Sequence, residues 1–148
     1  MSHPSPAMLV LFFVGVLALV TVIIANVGGW RELATVYFSG DFFEGTRFYG
    51  QSARLRLVGY NNVLIVGVNA TGLQLAVFFP FRLAHPPLII PWTDVTAANK
   101  RAWFRNWVEL RFARASDVPV LIPRALAERI ASEAGAAFRW EPEGPTRP

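Results

Sequence analysis

The chain contains no cysteine, which excludes disulfides, thiolate metal centres and a cysteine nucleophile together. Histidine is nearly as scarce: only His3 and His85 are present, too far apart for a paired-histidine metal motif. There is no phosphate-binding glycine loop, no dinucleotide fingerprint and no nucleophile elbow around any of the six serines. The ten acidic residues are scattered, and Glu128 and Glu133 on the C-terminal helical stretch are five apart, hence on different faces. These absences point away from an enzyme, a cofactor and a metal. A nucleic-acid-binding signature is missing too, although 14 basic residues, 13 of them arginine, leave a net charge of +4. That balance fits an anionic partner such as a lipid headgroup.

Charge is missing above all from residues 7–27, where only Thr21 and Asn26 are polar. A helix here reaches ~32 Å at ~1.5 Å per residue, enough to cross a hydrocarbon core. The hydrophobic share of the whole chain, 53%, is high for a soluble domain and agrees with a membrane segment. The competing reading is a cleaved signal peptide. The leader, residues 1–6, lacks Lys and Arg; the run exceeds the ~7–15 residues usual for such signals; and Val27-Gly28-Gly29 is a poor cleavage point. A single-pass anchor is therefore expected. No basic residue precedes it and Arg31 and Arg47 follow, which places the N-terminus outside a bacterial inner membrane and the remainder in the cytoplasm.

Residues 28–52 read as a juxtamembrane helix and loop. Trp30, Leu33, Ala34 and Tyr37 fall on one helical face, fit either for the membrane interface or for packing on the domain beyond. From residue 53 the pattern turns to short strands: 54–57, a turn at Asn61-Asn62, then 63–68, a turn at 69–72, and 73–79. Further strands are expected at about 95–103, at 107–113 with Val108, Leu110 and Phe112 inward, and at 118–122. Leu126, Ile130 and Ala134 then recur every four residues between Pro123 and Gly135, a closing helix. Residues 138–148 read as a disordered tail.

The proline-broken run HPPLIIPWTDV, residues 85–95, makes sense as a corner. Pro86 and Pro87 cannot donate to a central ladder but can launch an edge strand. Leu88-Ile89-Ile90 fills the wall, Pro91 ends the pairing, and Trp92 is large enough to plug the opening. Asp94 is placed to bond nearby turn amides, and His85 is a turn residue with no second histidine beside it.

This order, about seven antiparallel strands capped by one C-terminal helix, resembles the PH-like superfold and its GRAM-type variants. Gly72-Leu73-Gln74-Leu75 and Leu88-Ile89-Ile90-Pro91-Trp92-Thr93-Asp94-Val95 carry the resemblance, which covers roughly residues 53–137. The chain also resembles small single-pass bacterial membrane proteins that bear such a domain. The resemblance implies a mainly β, α+β barrel behind an N-terminal transmembrane helix. It carries no ligand residues over.

One surface stands out. If Phe104-Arg105-Asn106 is the turn of the hairpin over residues 97–114, Trp103 and Trp107 face each other across it, on the polar side. Trp103, Phe104, Arg105 and Trp107 then form a tip flanked by Lys100 and Arg101, suited to lipid headgroups or a protein partner. A shift of one residue would instead turn both tryptophans inward as packing. The expectation is a non-enzymatic, membrane-anchored binding or adaptor module that meets a protein partner or the bilayer, with self-association open. An extracytoplasmic envelope enzyme, or an accessory subunit of a membrane enzyme, is the alternative.

Overall fold

The computed structural model describes residues 2–79 and 81–142. The charge-free run is a single helix, α1 (Pro6–Val27), started by Ser5, whose hydroxyl oxygen accepts from the Met8 amide. It is the one helix among the described residues long and apolar enough to cross a membrane, and only 6% of its most apolar window is buried. Gly28 and Gly29 turn the chain at once into α2 (Trp30–Tyr37). Gly29 has φ +84°, and a Cβ there would lie 2.8 Å from the Val118 side chain, so the joint requires glycine. The apolar face of α2 packs on the domain: Trp30, Leu33 and Tyr37 are all buried.

Seven strands follow: β1 (Thr46–Leu55), β2 (Val58–Val68), β3 (Gly72–Val77), β4 (Leu88–Pro91), β5 (Val95–Ala102), β6 (Arg105–Phe112) and β7 (Val120–Pro123). They form one antiparallel sheet in the order β4-β3-β2-β1-β7-β6-β5, curled into a half-barrel. The helix α3 (Arg124–Ala134) buries Leu126, Ala127 and Ile130 against it. On β6, Val108, Leu110 and Phe112 point into the core as their alternation requires.

Three boundaries differ from the sequence reading. The turn expected at Asn61-Asn62 lies instead at Arg56-Leu57, with Leu55 paired to Val58. Long pairing between β1 and β2 outweighs the turn preference of the asparagines, and Asn62 is accommodated inside β2 at φ +59°, its amide bonded to Ser52 Oγ. The first strand begins at Thr46 rather than near residue 53, so half of the expected loop belongs to the sheet. Bulges between Phe48 and Ala53, with Gly50 at φ +67°, break the period-two pattern there and hide the strand. Residues 138–142 are not a disordered tail: Phe138 is buried 5.7 Å from the Trp92 ring, and Trp140 Nε1 donates to Asn99 Oδ1. Two aromatic rings with core surface in reach have reason to order this segment. The rest of that tail, 143–148, lies outside the described residues.

The corner over residues 85–95 is as expected. Its strand, β4, is an edge, and α2 covers that edge through a Phe38–Leu88 bridge and a Ser39 N–H to Pro87 carbonyl bond. Trp92 fills the opening and donates Nε1 to the Asn69 carbonyl. Asp94 differs: it accepts from Tyr37 Oη at 2.9 Å and Arg114 Nε at 3.0 Å rather than from turn amides, tying the end of α2 to the β6–β7 connection.

His85 is buried with both ring nitrogens engaged. Nδ1 lies 3.0 Å from the Phe81 carbonyl, which can only accept, so Nδ1 carries the proton and Nε2 accepts from Tyr60 Oη at 3.0 Å. The ring is thereby held as one neutral tautomer. Burial pulls its pKa below the ordinary 6.5, against a smaller upward pull from the Phe81 carbonyl, and burial pushes the Tyr60 hydroxyl upward. A lowered folded-state pKa means the unfolded chain binds more protons. Stability should therefore be full above pH 6.5 and fall as the pH drops through that value toward the folded-state pKa. Thermal unfolding of the full chain in detergent between pH 7.5 and 5 should show this loss, and His85→Gln should flatten it.

Candidate functional site

The hairpin of β5 and β6 closes with a two-residue turn, Trp103-Phe104, with Ala102 paired to Arg105. This corrects the expected turn at Phe104-Arg105-Asn106 and removes the expected pairing of the two tryptophans: Trp107 lies opposite Lys100, and Trp103 sits in the turn itself. The cause is twist, because a tight turn with positive φ at both central residues matches the right-handed coil of its strands. Trp103 has φ +48° and Phe104 φ +59°, positions that ordinarily take Asn-Gly. An L side chain in this region costs about 1–2 kcal/mol, and here two bulky aromatics occupy it in succession.

Neither ring is hidden. Phe104 is 99% exposed and Trp103 58%. Arg54, from β1, lies 4.3 Å over the Trp103 ring, so the tip leans across β7 toward β1. Arg54 Nε is buried there without a hydrogen-bond acceptor. Trp107 is half-buried on the outer face of β6; its Nε1 donates to the Ala102 carbonyl, and Arg105 lies 5.5 Å over its ring.

The basic residues divide into paired and free to bind. Lys100 Nζ is 2.9 Å and Arg111 Nε 2.7 Å from the Glu109 carboxylate. Partial burial pushes Glu109 upward, but the hydrogen bonds and charges of these two cations outweigh it and hold its pKa below the ordinary carboxylate range. Arg101 and Arg105 remain exposed beside the tip. Of the six expected residues, Arg101, Trp103, Phe104 and Arg105 thus form the presented surface, while Lys100 is tied to Glu109 and Trp107 supports the hairpin from the side. Among the described residues, no group of three His, Asp or Glu side chains is arranged to hold a metal.

Sequence reasoning missed a second surface. A half-open groove of about 920 Å³ runs between α1, α2 and the short 3₁₀ turn Phe81–Leu83. Its walls are Leu17, Ala18, Ala25, Phe38, Phe79 and Leu83 with other small apolar neighbours, and Arg31 is its one charged lining residue. The signal available was the apolar excess of Phe79 and Leu83 beyond the end of β3, where a solvent loop would be polar. Comparison with known protein families, with curated proteins and with solved structures finds no match for this chain.

Phe104→Gly should stabilise the fold by about 1 kcal/mol, since it relieves positive-φ strain and removes a side chain that packs on nothing. A rise in the unfolding midpoint of the full chain in detergent checks this.

Proposed function

We propose that this chain is a non-enzymatic binding module of the PH-like kind, anchored by α1 in a bacterial inner membrane with its half-barrel in the cytoplasm. The Trp103-Phe104 tip is its docking element for a protein partner. The observation that carries the reading is the tip's own construction: two large aromatics on strained backbone, turned toward solvent. Local strain and exposed apolar surface both oppose stability, and a sequence that keeps both where Asn-Gly would remove them is using them. Aromatic and arginine side chains are the residues enriched where partners bind most tightly. Arg101 and Arg105 at the rim suit an acidic surface around an apolar pocket.

A protein is favoured over the bilayer by connectivity. The far end of β6 leads to Val118, which packs against Gly29 where α1 leaves the barrel. The tip stands at the opposite end of that eight-residue strand. Aromatic rings beside arginines also suit a headgroup layer, so the test separates the two.

A photocrosslinking side chain at position 104 in living cells should give a discrete protein adduct. Trp103→Ala with Arg105→Ala should reduce that adduct at least ~10-fold, in line with the loss of two interface anchors, while the protein stays in the membrane fraction and unfolds cooperatively. An undiminished adduct, or label recovered only on lipid, overturns the reading. A reporter active only in the cytoplasm, fused after Pro148, should be active; silence there overturns the orientation.

A further inference from the structure

We infer that the groove between α1, α2 and the Phe81–Leu83 turn is a lipid site: it seats an acyl chain of an anionic glycerophospholipid from the leaflet on the barrel's side, with the phosphate at Arg31. The inference rests on α1 being a membrane anchor, and adds to that reading a bound ligand the helix does not need in order to span.

Its walls argue for hydrocarbon. Phe38, Phe79 and Leu83 are 60%, 79% and 81% exposed, all on one side of the molecule and all lining the groove. On a surface facing water this would be a costly patch; beside a helix immersed in lipid it is a matched one. Small residues of the floor, Ala18, Thr21, Ala25, Ala34 and Ala84, leave the space a chain would fill. Thr21 presents no free donor, because its hydroxyl is already given to the Leu17 carbonyl at 2.7 Å.

Length and charge choose the occupant. The groove follows α1 from Val14 to Ala25. At ~1.5 Å per residue that is ~17 Å, close to half of a ~30 Å hydrocarbon core and so to the depth of one leaflet. Its volume of about 920 Å³ is at the upper end of small-molecule sites. The single cation lies just past the helix, at the level where a headgroup sits: Arg31 gives one Nη1 hydrogen bond to Asn26 Oδ1 and keeps its remaining donors. A second copy of α1 is the wrong occupant. Two copies in one membrane run parallel, so the Arg31 of each would approach the other at the same depth, with like charges together.

The test uses the full chain reconstituted in vesicles of phosphatidylglycerol and phosphatidylcholine doped with a photoactivatable acyl-chain phosphatidylglycerol. Labelling should concentrate on peptides bearing Leu17–Val22 and Leu83 rather than around the whole of α1. Arg31→Gln should lower the labelling by phosphatidylglycerol relative to a phosphatidylcholine probe about 5-fold. Filling the floor by Ala18→Trp should remove groove labelling from both probes. Even labelling around α1, an Arg31→Gln ratio equal to that of the unaltered chain, or a self-crosslinked dimer when a photocrosslinking side chain stands at position 18, each overturn the proposal. Arg31 is exposed, so its variant remains informative where the floor variant does not fold. Alkaline extraction of cell membranes keeps the two readings apart: release of the protein refutes the anchor, whereas retention without groove labelling refutes the lipid site alone.

Discussion

One buried indole organises the molecule. Trp30 is wholly enclosed, donates Nε1 to the Pro86 carbonyl at 2.9 Å, and packs its ring 5.2 Å from His85 and 5.8 Å from Tyr60. It therefore holds together three parts of the chain: the helix leaving α1, the proline corner and the start of β2. Loss of a ring of this size from a core typically costs ~3–5 kcal/mol. The neighbouring bond from Tyr60 to His85 satisfies the polar atoms that come with so much burial, which is why a histidine is tolerated there.

Ionic contacts play a smaller part in stability. The five ion pairs among the described residues each have at least one partner substantially open to solvent, where such a pair contributes ~0–1 kcal/mol. Their effect is on placement. The Asp94 carboxylate collects Tyr37 and Arg114, and Tyr37 Oη in turn accepts from the Arg114 amide, so the last turn of α2 is fastened to the chain after β6. Glu109 fastens Lys100 on the other strand of the hairpin. The tip thus has a firm base under a strained and exposed crown.

What the sequence made legible follows from how local each signal is. The apolar helix α1, the period-four face of α3, the alternation on β6 and the Asn69-to-Gly72 turn each follow from local pattern; in the turn, Asn69 Oδ1 accepts from the amides of Thr71 and Gly72 as its chemistry requires. The start of β1 was illegible because bulges shift its register, so no two-residue period survives between Phe48 and Ala53. Asn61-Asn62 misled because the pair lies in an irregular stretch of the β1–β2 ladder, between the Ala53–Tyr60 and Gln51–Leu64 pairs, rather than in a connection between strands. Trp103-Phe104 misled for the opposite reason: neither residue favours the conformation it adopts, so no propensity points to it. The groove could not be assembled from sequence because its walls come from three separated segments, and the apolar excess of Phe79 and Leu83 does not say what those residues face.

The joint of Gly28 and Gly29 has a mechanical consequence. Its amides are bonded back to Ile24 and Asn26, and Leu33 is bonded to Gly29, so the turn from α1 into α2 is closed by backbone hydrogen bonds. A helix answers a thinner or thicker bilayer by changing its tilt. With α1 placed in the bilayer as proposed, such a change is passed through this joint to the half-barrel and carries the Trp103-Phe104 tip along an arc.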